Sequence, residues 1–190
     1  MNIIEEVVLM KGLLLLHHGC EDVEALATRG LLKRSGLDID TATFEDTLEI
    51  KTSFGLRVKS DAFAKDLSSD DYDFLVIPGG PYVARNVDED TEIKALATDF
   101  TEQGKLVAAI CAGPRFLGQA GLLDGKTYTA FTGSDKDAPK GHYHPEKKAI
   151  TDGSLITARG AGAVYEFAYH IVAYLKGDDA ADELLESILH

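Results

Sequence analysis

One cysteine, Cys111, stands where its thiol can act as a nucleophile. It follows the apolar run Leu106–Ile110, which predicts a buried strand, and precedes Ala112–Pro114 and a predicted helix with proline at an early position. Such a turn holds the sulfur at the carboxyl end of the sheet, facing a helix N-terminus that favours an anion. We therefore expect Cys111 to lie at a nucleophile elbow, with a thiolate that forms more easily than that of free cysteine. The alternative is a buried structural thiol.

The N–H groups of Gly80 and Ala112 are candidate donors to an oxyanion formed at such a nucleophile. Gly79 and Gly80 follow a second apolar strand, Asp73–Pro78, and a glycine backbone can approach a site closely. Ala112 follows the nucleophile directly. A Gly-Gly pair also suits an ordinary turn at the end of a strand, so the pair alone does not establish this role.

Glu24 is the candidate proton carrier. It shares one face of the predicted helix 21–34 with apolar residues such as Ala27, so we expect its carboxyl group to point inward. Burial and a neighbouring thiolate would raise the pKa of this carboxyl, which could then carry a proton at neutral pH. Glu21 and Asp22 stand at the helix N-terminus, where we expect them to complement the helix dipole.

Histidines are the ordinary partners of catalytic cysteines. His17 follows the first predicted strand, while His142 and His144 lie in the loop 140–145, which can fold over the site. Their i, i+2 spacing suits metal ligation, but no third ligand is evident. We therefore predict neither a metal site nor a cofactor, and solvated loop histidines are the alternative.

Composition excludes several classes of protein. The chain has 190 residues, a formal net charge of −13 and a pI of about 4.8, which argues against binding to nucleic acid or to an anionic membrane surface. Its cysteines, Cys20 and Cys111, match neither a disulfide framework nor a zinc motif and suit a reducing compartment. Glu5 and Glu6 are unlike a signal peptide, and the apolar stretch Val7–Leu16 is too short to span a bilayer, so we expect a cytoplasmic protein.

Strand-like and helix-like segments alternate along the chain, with no linker long enough to separate domains. Strands are predicted at 12–17, 37–44, 73–78, 106–110, 127–131 and 154–158, with a hairpin at 48–59. Helices are predicted at 21–34, 93–100, 115–120, 164–175 and 178–188. This alternation predicts a single α/β domain, 1–190, with a mostly parallel sheet covered on both faces. The segments that follow the first, third and fourth strands should meet at one rim.

Four segments together resemble a known superfamily. Ala109–Pro114, Ile77–Gly80, Gly19–Glu24 and Thr157–Ala168 are similar to motifs of the DJ-1/ThiJ/PfpI superfamily, the DJ-1 branch above all, over about Lys11–Gly177. The resemblance implies a flavodoxin-like three-layer α/β/α sandwich that forms a homodimer and uses no cofactor. It also implies glyoxalase III chemistry (methylglyoxal to lactate), protein and nucleotide deglycase activity, oxidative-stress sensing or chaperone function.

The resemblance assigns roles at the site. Cys111 takes the place of the reactive cysteine at a strained elbow, where it is readily oxidised to sulfinic acid. Glu24 takes the place of the glutamate that hydrogen-bonds this cysteine, and Gly80 and Ala112 take the places of the backbone donors.

The sequence also departs from the family pattern. Ala112 stands where protease-like members place a histidine, which argues against a PfpI-type peptidase. The DJ-1 branch has a histidine in the stretch that corresponds to Thr129–Thr132, where this chain has none, so His17 or His142 would have to substitute for it. Pro81 replaces the usual polar residue after the Gly-Gly pair.

Two functional hypotheses follow. The first is an enzyme that acts on reactive α-oxoaldehydes, with Cys111 as nucleophile, Gly80 and Ala112 as oxyanion donors and Glu24 as proton shuttle. The second is an oxidative-stress sensor or chaperone-like protein in which Cys111 is oxidised rather than turning over a substrate. A purely structural role would leave the cysteine elbow unexplained.

Overall fold

Eleven strands are present in this computed structural model, which describes residues 9–190. Glu5, Glu6 and the first part of Val7–Leu16 lie outside the described residues. The strands are β1 (Lys11–Leu15), β2 (Asp38–Thr43), β3 (Glu49–Lys51), β4 (Arg57–Lys59), β5 (Ala62–Phe63), β6 (Phe74–Ile77), β7 (Leu106–Ile110), β8 (Thr127–Tyr128), β9 (His142–Tyr143), β10 (Ala149–Asp152) and β11 (Leu155–Ala158).

Seven of these strands form the central sheet, in the order β10-β11-β7-β6-β1-β2-β5. Only the edge pair β10–β11 is antiparallel, and every other neighbouring pair is parallel. The two central strands β6 and β7 are buried along their whole length, because a parallel sheet is covered on both faces and its strands need continuous apolar runs. The predicted mostly parallel sheet is confirmed.

Helices cover the two faces of the sheet. They are a π-helical turn (Val23–Ala27) that continues into α1 (Thr28–Arg34), then α2 (Pro81–Asn86), α3 (Glu92–Glu102), α4 (Pro114–Gln119), α5 (Val164–Lys176) and α6 (Asp178–Ser187). One layer contains α1, α5 and α6, in which α5 packs against each of the other two, and the other layer contains α3 and α4. The three-layer sandwich is confirmed. None of the helices within residues 9–190 has the length and apolarity that a membrane crossing requires.

The predicted strand 127–131 is wrong in its extent. Only Thr127–Tyr128 is a strand, and it pairs with β9 in a separate two-stranded sheet. Beyond it the chain leaves the ladder, since the Thr129 N–H donates to the hydroxyl of Thr157 and the Phe131 N–H donates to the carbonyl of Cys111. This detour brings Phe131 over the end of β7. The predicted hairpin is present as β3 and β4.

Candidate active site

Cys111 lies directly after β7, in a backbone conformation that side chains rarely adopt. Its φ angle is +63°, and within residues 9–190 it shares a positive φ only with Leu189 among non-glycine residues. Hydrogen bonds on both sides hold it there: its N–H donates to the Ala158 carbonyl and its carbonyl accepts from the Phe131 N–H, each at 2.8 Å. Such strain costs about 1–3 kcal/mol and persists only where neighbours fix it. The predicted elbow is therefore present, with α4 beginning at Pro114.

The carboxyl group of Glu24 is buried beneath this elbow. Its residue is 1% exposed, and its Oε2 accepts a hydrogen bond from the Gly79 N–H at 3.0 Å. The thiol of Cys111 and the N–H of Ala161 are its other hydrogen-bond partners. The wide π-helical turn and the side chain of Glu21, which accepts from the Glu24 N–H at 2.7 Å, fix this part of the helix. The inward orientation expected of Glu24 is thus observed.

Glycine at position 79 allows the thiol and the carboxyl to meet. A Cβ atom on Gly79 would lie 2.7 Å from the Cβ of Cys111, 2.7 Å from the Oε2 of Glu24 and 2.9 Å from the Ala112 nitrogen. Real Cβ atoms do not come this close to three neighbours, so any larger residue would separate the loops. The segment after β6 therefore packs directly between the other two.

Gly80 joins this loop to the segment after β1. Its φ angle is +120°, and a Cβ atom there would lie 2.3 Å from the carbonyl oxygen of Gly19 and 2.7 Å from the nitrogen of Glu21. A hydrogen bond from the Glu21 N–H to the Gly79 carbonyl closes the contact at 3.0 Å. The three segments predicted to meet at one rim do so.

Burial dominates the electrostatics of the pair. It raises the pKa of Glu24 to about 7, against which the hydrogen bond with Cys111 acts. It also raises the pKa of the Cys111 thiol, an effect to which the nearby carboxylate of Glu24 adds. We expected the thiolate of Cys111 to form more easily than that of free cysteine. This expectation is wrong while Glu24 is ionised, because burial and the carboxylate raise the thiol pKa by more than the short helix α4 lowers it. A thiolate forms more readily when Glu24 holds the proton, so the pair shares one negative charge.

A cleft of about 440 Å³ opens above Cys111. Gly80 and Ala112 both line it, and within the described part of the chain neither N–H donates to a backbone carbonyl. The Ala112 N–H instead forms a hydrogen bond with the Cys111 sulfur. The Gly80 N–H is therefore open to a ligand in the cleft, and the Ala112 N–H already faces the sulfur of Cys111.

His17 does not line this cleft. Its ring is stacked 5.0 Å from the ring of Tyr82 and 6.2 Å from that of Phe44, and the residue is 5% exposed. Its Nδ1 lies 3.7 Å from an oxygen of Glu45, and its Nε2 is buried without a partner among residues 9–190. Aromatic packing after β1 draws the side chain into the core, so His17 does not occupy the place of the missing histidine.

His142 is also remote from Cys111. Its N–H donates to the Lys126 carbonyl, and Lys126 is paired with Asp152 at the end of β10 that aligns with the start of β11. Because β11 runs parallel to β7, His142 lies at the end of the sheet where these strands begin, whereas Cys111 lies at the end where β7 finishes. Within residues 9–190 no group of three or more His, Cys, Asp or Glu side chains is arranged to hold a metal ion.

Glu21 and Asp22 have different roles in the structure. Glu21 accepts from a helix N–H, as expected of a residue that complements the dipole. Asp22 was expected to do the same, but its carboxylate accepts from the Thr52 hydroxyl and from the Phe54 N–H. It therefore ties the hairpin β3–β4 to the start of the helix, because the hairpin supplies donors closer to it than its own helix does.

Sequence reasoning missed the contribution of Ala161 and of the turn that covers the cleft. Ala161 is a donor to Glu24, and the glycines on either side of it were the available signal. Residues 131–134 line the cleft because the chain turns away from the strand direction after β8, and the hydrophobic pattern of the sequence does not predict this turn. Arg115 and Lys136 line it as well.

Comparisons with known proteins agree with this geometry. The DJ-1/PfpI family model matches residues 10–174. A Caenorhabditis elegans protein named glutathione-independent glyoxalase DJR-1.2 is 30% identical over 88% of this chain and 89% of its own length. A Pyrococcus furiosus protein named deglycase PfpI is 33% identical over 88% of this chain and its whole length. The crystal structure of a DJ-1 superfamily protein from Salmonella typhimurium superposes with a TM-score of 0.89 at 28% identity, over 96% of this chain and 99% of that one.

The buried carboxyl of Glu24 predicts a pH-dependent loss of stability. Since its pKa is raised from 4.5 to about 7, the stability it contributes is fully present below pH 4.5 and lost as the pH rises through about 7. Glu24→Gln removes this titration. We expect the wild type to lose up to about 3 kcal/mol relative to Glu24→Gln between pH 4.5 and pH 8, measured by urea denaturation at each pH.

Glu102→Gln, on the exposed surface of α3, serves as the control for this measurement: because it keeps Glu24, its stability should fall with pH as that of the wild type does. A difference between wild type and Glu24→Gln that stayed constant with pH would show that Glu24 titrates as an ordinary exposed carboxyl.

Proposed function

This chain belongs to the DJ-1/PfpI family, and we propose that it converts reactive α-oxoaldehydes to 2-hydroxy acids without a cofactor, with Cys111 as the nucleophile. The observation that carries the proposal is the contact between the Cys111 thiol and the buried Glu24 carboxyl below an open cleft. The names of two relatives, one a glyoxalase and one a deglycase, support the same class of substrate.

In the first step, the sulfur of Cys111 attacks the aldehyde carbon of the substrate. A carbon–sulfur bond forms, and the carbonyl π electrons move onto the former aldehyde oxygen. The N–H groups of Gly80 and Ala112 are available to that oxyanion, and they would stabilise its charge before a proton arrives. The thiol proton passes to Glu24, whose pKa of about 7 lets the carboxyl accept and release it near neutrality.

In the second step, Glu24 moves a proton between the two substrate carbons. It first passes the thiol proton to the oxyanion, which becomes a hydroxyl, and is then free to accept another proton. It takes the hydrogen from the sulfur-bearing carbon and returns it to the neighbouring carbon, while the proton of the new hydroxyl moves to the oxygen on the neighbouring carbon. The sulfur-bearing carbon becomes a thioester carbonyl. Water then cleaves the carbon–sulfur bond, which releases the 2-hydroxy acid and regenerates the thiol. The substrate is oxidised at one carbon and reduced at the other, so no external oxidant is needed.

A second candidate function is a redox centre. It is favoured by the lining of the cleft, which among residues 9–190 includes Phe131 and Thr132 but no histidine. Two equivalents of peroxide would convert the Cys111 thiol to a sulfinic acid and release two water molecules. A protonated Glu24 would then donate a hydrogen bond to the sulfinate oxygen, which would stabilise the oxidised form.

The enzyme proposal predicts that the wild type forms lactate from methylglyoxal. We expect Glu24→Gln to lower kcat/KM by about 10²–10⁴-fold, as is usual when a general acid–base is removed, and Cys111→Ser to abolish turnover. Lactate is measured after fixed times at neutral pH. Cys20→Ala, which removes the other thiol from a fully buried position, should retain activity.

Lactate formation that survived Cys111→Ser would place the chemistry elsewhere in the molecule. A wild type that formed no lactate would exclude methylglyoxal as a substrate.

The redox proposal predicts a gain of two oxygen atoms after mild treatment with peroxide. Intact-mass measurement should detect this gain in the wild type and in Cys20→Ala, but not in Cys111→Ser. We expect Glu24→Gln to slow the passage from sulfenic to sulfinic acid, because its amide cannot supply the proton that Glu24 supplies. Equal oxidation of the wild type and Cys111→Ser would contradict the assignment.

We further propose that the protein forms a homodimer through a surface defined by Val23, Phe54 and Leu56. These side chains are 48%, 79% and 49% exposed, and the hydrogen bond from Phe54 to Asp22 brings the hairpin beside the helix. An apolar patch of this kind on a surface with many charges suits a protein interface.

Light scattering after size exclusion should give the mass of a dimer for the wild type at micromolar concentration. Phe54→Ser should give a monomer, because it removes the most exposed aromatic ring of this surface. Tyr174→Ser, on α5, removes an exposed ring elsewhere and should leave the dimer intact. A wild-type monomer would contradict the proposal.

A further inference from the structure

The charges that line the cleft differ in sign from those of the whole protein. The chain has 32 acidic and 19 basic residues. Of the charged residues that line the cleft, two are basic, Arg115 and Lys136, and one is acidic, Glu21. The two cations lie on one side of the entrance, on α4 and on the turn Asp135–Asp137.

Arg115 is already neutralised. Its Nε donates to Asp137, and both side chains are about nine-tenths buried. Gln119 donates to the other oxygen of the same carboxylate at 2.8 Å. This group of side chains fastens the turn over the cleft to α4, so Arg115 holds the wall in place and contributes little free charge to a ligand.

Lys136 has no such partner. Its side chain lines the cleft, and its neighbours in the sequence are Asp135 and Asp137. Within residues 9–190 its ammonium nevertheless forms no ion pair and no hydrogen bond. Asp137 is committed to Arg115, and Asp135 does not line the cleft. Of the two basic side chains that line the cleft, Lys136 is therefore the one without an ion-pair partner among residues 9–190.

A hydroxyl lies beside this cation. Ser134 is 4% exposed and lines the cleft, and its hydroxyl forms no hydrogen bond within the described residues. Its position is fixed by a turn in which the Ser134 N–H donates to the Phe131 carbonyl at 3.0 Å and Gly133 has a φ angle of +82°. The hydroxyl oxygen is accessible from the cleft, so it can donate a hydrogen bond to an acceptor on a bound ligand.

The size of the cleft points in the same direction. A volume of about 440 Å³ lies within the range of sites for drug-sized ligands, and methylglyoxal fills only a small part of it. Lys136 and Ser134 both line this space. A substrate with an acidic group at the end remote from its aldehyde would occupy both the catalytic end and this wall.

We propose that the substrates of this cleft are α-oxoaldehydes that carry a carboxylate, which binds to the ammonium of Lys136 and the hydroxyl of Ser134 while Cys111 attacks the aldehyde. The inference rests on the proposed enzyme function. The ammonium of Lys136 balances one negative charge, and the carboxylate of Glu21 in the same cleft repels a dianion such as a phosphate more strongly than a single carboxylate.

Two substrates that differ only in a carboxylate test this inference. Phenylglyoxal and 4-carboxyphenylglyoxal have the same reacting group, and their products are mandelate and 4-carboxymandelate. We expect the wild type to favour the carboxylate by about tenfold in kcat/KM, and this preference should fall as salt is added. Lys136→Gln should bring the ratio to about one.

Lys140→Gln is the matched control. Lys140 lies in the same loop but pairs with Asp124 and does not line the cleft, so its loss should leave the ratio unchanged. Equal rates with both substrates in the wild type, or equal effects of the two lysine variants, would overturn the inference while the enzyme function stood.

A second measurement does not depend on turnover. Iodoacetate and iodoacetamide both alkylate Cys111, and only the first carries a carboxylate. The ratio of their rates, followed by mass spectrometry, should fall several-fold in Lys136→Gln and stay at the wild-type value in Lys140→Gln. If neither glyoxal reacted, the enzyme function would be contradicted, but the ratio of alkylation rates would still show whether Lys136 attracts an anion. An alkylation ratio that is unchanged in Lys136→Gln would overturn the inference.

Discussion

The burial of one carboxyl group, that of Glu24, is the constraint on which the rest of the site depends. A carboxyl group removed from water must be satisfied by donors, and here these come from the three segments that contain Gly79, Cys111 and Ala161. Each donor belongs to a loop that follows a different strand of the sheet. Glu24 therefore fixes the loops relative to one another, and burial sets its pKa near 7, where it can exchange protons.

The sequence predicted most of this arrangement because its signals were local. Small residues after an apolar strand marked the elbow at Cys111, and helical spacing placed Glu24 on an inward face. What could not be predicted depends on contacts between distant segments. The core position of His17 comes from stacking on Tyr82, and the capture of Asp22 by the hairpin comes from donors on Thr52 and Phe54. The direction of the thiol pKa also needed the structure, since only the folded chain shows how fully the pair is desolvated.

The cleft combines a rigid chemical end with a wall built from a loop. The chemical end is made of backbone and of buried side chains, which leaves little room for variation. The wall is a short turn held to α4 by Arg115 and Asp137, and its outward side chains are free to change without disturbing the fold. Under the proposed enzyme function, this division would put catalysis and substrate selection on separate parts of the chain, so that one reaction could serve substrates that differ at their remote end.

The backbone of Cys111 has a consequence for how this protein can change over time. At a φ angle of +63° a glycine is not strained, whereas a residue with a Cβ atom costs about 1–3 kcal/mol. Selection for thermodynamic stability alone would therefore favour glycine at position 111. A side chain at this position therefore lowers the stability of the fold. The free energy lost is the least that the sulfur must offset through what it contributes to the protein.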